Sequence, residues 1–282
     1  MPESRYRAAL ALLALFGGFA CSGGDKKSTT DSTTAAPAQN WTTIMAQEFT
    51  FEAPDTLPAG FTRVNLMNHG VQPHHIVVAR LDSGHVVGEL LQSVSAEKVP
   101  NWVTLLGGPN ATMPGSTTET LIELTPGNYA ILCVMPSTDG MPHVAKGMVR
   151  QLTVKSAAAA TVPLTADIEL TLTDYAFETS RPITPGPHVI RVVNTAEQAH
   201  EVTLVKLEPG KTMKDFAKWL EKPQGPAPGA WFGGTTPQSK GIVSYIVTDF
   251  TPGDYGFICF MPDAKDGKSH HLHGMVDQFG VR

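Results

Sequence analysis

The sequence predicts an all-β protein built from two tandem β-sandwiches, each with one short inserted helix. The first reason is composition, because 26 Gly and 22 Pro residues are spread along the 282 residues and favour many turns. The second is length, which suggests about two domains. The third is a long internal repeat with strand-like patterns in both copies. Lys and Arg do not cluster, so no nucleic acid partner is expected.

The first segment, residues 1–20, has the pattern of a signal peptide. Arg5 and Arg7 supply a positive start, an apolar run covers Ala8 to Phe16, and mostly small residues follow. The apolar run is too short to cross a hydrocarbon core of about 30 Å as a permanent helix. We therefore expect this segment to direct export and then to be removed.

Cys21 follows directly, and its setting resembles the lipobox of bacterial lipoproteins, in which the cysteine becomes the lipid-carrying N-terminus. Residues 21–43 are then the lipidated Cys and a disordered tether, because Ser, Thr, Ala and Gly dominate them and bury too little apolar surface to order the chain. The resemblance implies an extracytoplasmic protein that is lipid-anchored to a bacterial membrane on its periplasmic face. Ordinary cleavage after Ala20, which would release a secreted protein, is the alternative.

The rest of the chain is a tandem duplication. Landmark residues recur at a constant offset of 126, which becomes 127 after one inserted residue. The offset predicts a first domain at 44–155, an Ala-rich linker at 156–165 and a second domain at 166–282. The matched pairs include Asn68 with Asn194, His74 with His200, Gly107-Gly108 with Gly233-Gly234, Tyr129 with Tyr255, Cys133 with Cys259, and His143 with His270.

Short runs in both halves have the alternation or the β-branched content of strands. They are Phe61–Leu66, His75–Leu81, Asn128–Val134, Thr171–Phe177, His188–Val193, Glu201–Leu207, Ile242–Asp249 and Asp254–Phe260. Thr212 to Lys222 instead has apolar residues at helical spacing behind a Thr cap, and Val87 to Lys98 is its expected counterpart. The loops Pro100–Leu106 and Pro226–Phe232 each carry a Trp and are either docking surface or, as we favour, packed under the helix.

Each half has one internal Cys at the end of a strand, followed by a loop with His and then Met, and a further His 59 residues upstream. One thiolate, two imidazoles and a thioether are the ligand set of a type 1 copper site, a trigonal plane with a weak axial Met. The candidate ligands are His74, Cys133, His143 and Met148 in the first half and His200, Cys259, His270 and Met275 in the second. His271 and His273 crowd His270 and offer alternative imidazoles.

With these residues in place, both halves resemble the cupredoxin domain of plastocyanin and azurin, from Asn-x5-His through Pro-Gly-x-Tyr-x3-Cys to His-x4-Met. The resemblance implies Greek-key cupredoxin-like sandwiches with one copper per domain and a role in electron transfer. The ending of the loop is also similar to the type 1 loop of copper nitrite reductases. The separation departs from small blue-copper proteins, because nine and ten residues lie between Cys and His.

Three alternatives stay open at this point. The same residues could pack in metal-free sandwiches, since buried Cys and Met are common core residues. The surplus residues could form a second, open copper site or only a solvated loop, and we favour the loop; they are His69, His75, Met135, Met141, Met261, His271 and His273. A disulfide between Cys133 and Cys259 is disfavoured, because equivalent sites in two copies rarely approach within about 4.4–6.8 Å between Cα atoms.

The sequence therefore predicts a membrane-anchored copper protein that passes electrons to a protein redox partner or a membrane complex. A metal-free accessory subunit docked on a membrane electron-transfer complex is the alternative, and copper delivery or storage ranks below both. The chain is not expected to be an enzyme, because no His flanks Cys133 or Cys259, as in the His-Cys-His pattern that builds a catalytic copper cluster.

Overall fold

A computed structural model describes residues 39–95, 99–157 and 160–282. The predicted signal peptide, Cys21 and most of the tether lie outside the described residues, as do parts of the predicted linker and of the first predicted helix. We call residues 39–157 the first half and residues 160–282 the second half. The described chain is nearly all β, with only two short α-helices, which agrees with the predicted all-β class.

The strands and helices follow one another in the same order in both halves, except that β3 has no counterpart in the second half. In the first half they are β1 Asn40–Gln47, β2 Thr50–Glu52, β3 Thr56–Pro58, β4 Gly60–Asn68, β5 Val77–Leu81, α1 Val87–Ser95, β6 Val103–Leu105, β7 Thr117–Leu124, β8 Gly127–Leu132, a 3-10 helix His143–Lys146 and β9 Val149–Lys155. In the second half they are β10 Ile168–Thr173, β11 Ala176–Thr179, β12 Gly186–Asn194, β13 His200–Leu207, α2 Met213–Glu221, β14 Gly229–Gln238, β15 Val243–Phe250, β16 Gly253–Ile258, a 3-10 helix His270–His273 and β17 Val276–Val281.

Two strand boundaries differ from the sequence expectations for local reasons. The run Thr171–Phe177 is broken between β10 and β11, because Tyr175 turns the chain with a φ of 66°. Strand β1 begins at Asn40, before residue 44 where the sequence places the first domain, because residues from Asn40 onward pair in parallel with β4. The end of the predicted tether is therefore strand.

One eight-stranded sheet runs through both halves in the order β11-β10-β12-β15-β7-β4-β1-β2. The halves join where β7 pairs antiparallel with β15, for example Leu121 with Tyr245. A five-stranded sheet, β3-β9-β8-β5-β6, completes the first half, and a four-stranded sheet, β14-β13-β16-β17, completes the second. An apolar core in each half contains the candidate Cys, so Cys133 and Cys259 lie between layers of sheet.

A second junction between the halves lies at the repeated Gly-Gly pairs. The segment from Leu105 to Asn110 runs beside β14, with backbone hydrogen bonds that include Thr236 N to Gly108 O at 2.9 Å. A Cβ on Gly108 would lie 2.2 Å from the Ile76 carbonyl oxygen, and both its φ of 147° and this contact favour Gly. Gly234 meets the Val202 carbonyl in the same way at 2.0 Å. Each of these two glycines therefore allows its segment to approach a neighbouring backbone of its own half closely.

The second predicted helix is confirmed by its cap. Thr212 accepts a hydrogen bond from Asp215 N at 3.1 Å, and Asp215 accepts one back from Thr212 N, which is a capping box. The two Trp segments predicted as loops, Pro100–Leu106 and Pro226–Phe232, are partly strand, because they contain β6 and the start of β14. Both are packed rather than open, as we favoured. Trp231 meets Phe216 of α2 edge-on, and Trp102 packs against the cluster that contains Leu90 of α1.

Candidate metal centres

The local fold delivers the three donors of each half to one place. Cys133 directly follows β8, and the loop after it returns through His143, whose N–H donates to Met135 O at 2.9 Å. Met148 closes the loop, because its carbonyl accepts from Cys133 N at 3.1 Å and its N–H donates to His143 O at 3.1 Å. His74 lies just before β5, where it forms an isolated bridge with Thr112. The second half repeats this pattern.

The first site consists of His74, Cys133 and His143, and all three are fully buried. The two Nδ1 atoms are 3.0 Å apart, and Cys133 Sγ lies 3.5 Å from Nδ1 of His143 and 4.0 Å from Nδ1 of His74. The atoms that converge are thus two imidazole nitrogens and one sulfur.

The second site consists of His200, Cys259 and His270, again fully buried. Cys259 Sγ lies 3.5 Å from Nδ1 of His270 and 3.9 Å from Nδ1 of His200. Of the three neighbouring histidines that the sequence offered as ligands, His270 is therefore the one that faces the sulfur. His271 hydrogen-bonds Ser269 Oγ at 2.6 Å, and His273 pairs with Asp266 at 3.1 Å.

The donor atoms fit a transition-metal ion. A point equidistant from three atoms separated by 3.0, 3.5 and 4.0 Å lies about 2.1 Å from each, close to metal–nitrogen and metal–sulfur bond lengths. Two nitrogens and a soft sulfur suit copper. The Nε2 atoms of His143 and His270 point away and lack a hydrogen-bond partner within the described chain. Met148 and Met275 are fully buried in the same clusters as the Cys residues.

Burial sets the protonation of these groups before a metal binds. It raises the pKa of the Cys133 thiol to about 12 and raises that of Cys259 as well, so both sulfurs carry a proton at neutral pH. Burial also lowers the pKa of His74 and of His270 to about 4, so both rings are neutral. Neutral imidazoles are ready to ligate, and metal binding must release the thiol proton.

The surroundings of the first site combine one carboxylate, Glu48, with apolar or neutral groups. The ring of Phe49 meets His143 edge-on at 5.3 Å between centroids, with a backbone φ of 62° that holds it there. The carboxylate of Glu48 is 3.8 Å from His74 Nε2, beyond a hydrogen bond. Ser137, buried nearby in the loop, has a hydroxyl without a partner among the described residues.

The second site has polar groups at the same positions. Tyr175 takes the place of Phe49, meets His270 at 5.5 Å, and donates its hydroxyl to Asp263. Asp174 accepts a hydrogen bond from His200 Nε2 at 3.1 Å. Asp263 is buried, and hydrogen bonds from Tyr175 and then Gln198 hold the pKa of its carboxyl far below the usual value. The second site is therefore flanked by two carboxylates, Asp174 and Asp263, where the first site has one, Glu48.

His75 and Glu201, which immediately follow His74 and His200, occupy equivalent buried positions that sequence reasoning did not explain. Nε2 of His75 accepts from Val134 N at 2.9 Å, and Oε1 of Glu201 accepts from Phe260 N at 3.0 Å. Burial lowers the pKa of His75 to about 3 and raises that of Glu201 to about 7. His75 lies 59 residues before Val134, and Glu201 lies 59 residues before Phe260. This equal spacing to the residue after each Cys is the signal that could have indicated their equivalent roles.

The surplus soft ligands do not gather into a second copper site within the described chain. Both ring nitrogens of His75 are engaged, His69 is exposed, and His271 and His273 have the partners given above. Met135 and Met261 pack against the apolar cores, and Met141 is exposed. Cys133 and Cys259 are both free thiols.

Comparison with known proteins finds neither a matching family model nor a matching curated protein. Among solved structures, a reduced auracyanin from the photosynthetic bacterium Roseiflexus castenholzii is 17% identical, with a TM-score of 0.31 over 43% of this chain and 99% of its own. A multicopper oxidase is 17% identical, with a TM-score of 0.27 over 86% and 88%. A copper-containing nitrite reductase from Thermus scotoductus is 14% identical, with a TM-score of 0.25 over 87% and 62%.

The buried His-Cys-His groups fit type 1 copper sites, as the resemblance of both halves to cupredoxin domains implies, and the prediction of copper as the cofactor is confirmed at this level. The same groups support a copper-binding protein.

The prediction that the chain is not an enzyme is wrong. The multicopper oxidase and the nitrite reductase among the similar structures are enzymes.

Proposed function

We propose that this chain is an electron-transfer protein that holds one type 1-like copper in each of two Greek-key cupredoxin domains. One observation carries the proposal, namely that a Cys sulfur and two His Nδ1 atoms converge in a buried position twice in the same chain. A rigid, buried set of donors changes little between two oxidation states, which suits one-electron transfer. Bound copper would supply that one-electron chemistry.

The residues of each site have separate roles in this proposal. The sulfurs of Cys133 and Cys259 would hold copper as thiolates, together with the paired histidines of each site. Met148 and Met275 would offer thioether ligands, and their burial beside the Cys residues supports this assignment. The backbone links between Met and Cys in each loop hold the three elements together.

We further propose that the protein is anchored outside the cytoplasm through a lipid on Cys21 and serves a protein redox partner or a membrane complex. The support is the sequence pattern of residues 1–43. None of the helices in the described part of the chain is long and apolar enough to cross a membrane.

Copper titration tests the central proposal. Adding Cu(II) to the purified metal-free protein should develop strong visible thiolate-to-copper absorption that saturates at two equivalents. A protein that stays colourless contradicts electron transfer through type 1-like sites. If that colourless protein co-purifies with a membrane electron-transfer complex after gentle detergent extraction, the accessory-subunit function replaces the proposal.

Mass spectrometry of the N-terminus tests the anchor separately. The expected product begins at Cys21 and carries acyl chains, and Cys21→Ala should move the protein from the membrane to the soluble fraction. An unmodified chain that begins at Cys21 would instead identify a secreted protein.

A further inference from the structure

A buried chain of hydrogen bonds connects the two metal sites through one side chain, Asn110. Nδ1 of His75 lies 3.3 Å from Asn110 Oδ1, and Asn110 Nδ2 lies 3.2 Å from Glu201 Oε2. At the two ends, His75 and Glu201 accept from Val134 N and Phe260 N at 2.9 and 3.0 Å. These two amides belong to the residues bonded to Cys133 and Cys259, so the path reaches both sulfurs.

The direction of each bond in the path is determined by its neighbours. Nε2 of His75 accepts from a backbone amide, so its ring proton is on Nδ1 and points to Asn110. Asn110 Oδ1 also accepts from Ala111 N at 2.9 Å, and its Nδ2 faces the acceptors Glu201, Val202 O and Thr203 Oγ1. Asn110 is 2% exposed, so the path excludes water.

The path is not a by-product of the duplication. The residue equivalent to Asn110 is Thr236, whose hydroxyl donates to Ile76 O at 2.8 Å and makes no second link between the sites. Burying a carboxyl such as Glu201 beside a metal ligand is costly unless its hydrogen bonds are made, and an apolar pair would pack there at lower cost. Packing alone therefore does not explain why His75, Asn110 and Glu201 are polar.

We propose that Asn110 is the positioning residue that joins the two metal sites into one electronically coupled pair. This inference rests on the proposed function. Held between His75 and Glu201, Asn110 completes a covalent and hydrogen-bonded path along which one electron exchanges between the sites. In the exchange one site loses an electron as the other gains it, no bond forms or breaks, and no proton leaves the path, so no co-reactant is needed.

Pulse radiolysis of the copper-loaded full chain tests the proposal. Asn110→Ala removes the link, and Thr236→Ala is the matched control, because it deletes a buried hydrogen bond between the halves at the equivalent position. Single-site proteins with Cys133→Ser or Cys259→Ser provide separate absorption and EPR spectra for the two sites. Copper content, thermal unfolding and the potential of each site are measured in every variant.

After a pulse of reductant, the native protein and Thr236→Ala should show a concentration-independent phase in which an electron moves from one site to the other. Asn110→Ala should lose this phase while it still binds two equivalents of copper. An unchanged phase in Asn110→Ala overturns the coupling and leaves the proposed function standing. A native protein that binds no copper overturns both.

If Asn110→Ala does not fold, a second variant, Asn110→Thr, tests the same proposal. Asn110→Thr installs the residue found at the equivalent position of the second half, and its side chain is too short to reach both His75 and Glu201. It should lose the intramolecular phase as well, and a rate equal to that of Thr236→Ala contradicts the proposal.

Discussion

The two candidate metal sites have the same donors and different surroundings. His74, Cys133 and His143 match His200, Cys259 and His270 in position and in burial. Around them, a Phe ring, an unpaired Ser hydroxyl and a neutral His in the first half correspond to a Tyr, an ionised Asp and a Glu in the second.

The two halves therefore share the residues that would bind a metal and differ in the neighbouring residues that would set its reduction potential. A carboxylate near a metal stabilises the more positive oxidation state. The second site has two carboxylates near its histidines and the first has only Glu48, so the second site should have the lower reduction potential. Two sites of unequal potential give an electron a preferred direction. The following predictions test the comparison, beginning with the largest expected effect.

Removing one sulfur should empty one site only. Cys133→Ser and Cys259→Ser should each lose one of two equivalents of bound copper and the absorption of that site, because a Ser hydroxyl is a poor replacement for a soft thiolate. Copper content and absorption spectra after titration are the measurement. If either single substitution abolishes both sites, the halves do not bind independently, and the comparison of two sites fails.

The equivalent glycines of the two halves should be equally intolerant of a side chain. Gly108→Ala and Gly234→Ala should each lower the free energy of unfolding by about 3 kcal/mol or more, because the new Cβ meets a carbonyl oxygen of the same half and the φ values are positive. Gly210→Ala, at a φ of 76° with open space around it, is the control and should cost only about 1–2 kcal/mol. Urea denaturation measures all three. Equal costs in all three would show that the close backbone approach at Gly108 and Gly234 is unimportant.

Exchanging Ser137 and Asp263 should shift the potentials in opposite directions. Asp263→Ser removes a carboxylate near His270 and should raise the second potential, and Ser137→Asp should lower the first. The shift is expected on the order of 60 mV, which corresponds to a tenfold change in relative affinity for a one-electron couple. Redox titration of the single-site proteins measures it. Parallel shifts in both variants would contradict the charge argument.

The smallest effect concerns the cap of α2. Thr212→Ala should lower the free energy of unfolding by about 1 kcal/mol, because the capping box at the start of α2 is lost. Copper binding at the second site should not change, since the cap is exposed and distant in sequence from the ligands. Thermal unfolding with and without copper tests both statements, and Lys211→Ala outside the cap is the control.

Much of the fold and of the ligand set was predictable because it depends on local sequence. Turn glycines, alternating strands and the Thr212 cap are determined by a few neighbouring residues. Each candidate ligand and turn motif also occurs twice in the sequence, which strengthened its prediction. Strands such as β7 were not predicted, because Thr117–Leu124 is recognisable as a strand only by its pairing with β4 and β15. His75 was interpreted as a surplus ligand, because its buried partners come from residues distant in sequence.

By itself, the sequence determined the all-β class, the duplication and the identity of the donors, since these follow from composition, spacing and residue chemistry. Only the tertiary structure decided that His270 rather than His271 or His273 faces the sulfur, and that one sheet joins the halves. It alone placed Asn110 between His75 and Glu201. The physical reason is that burial and hydrogen bonding across 91 residues depend on packing, which no local pattern encodes.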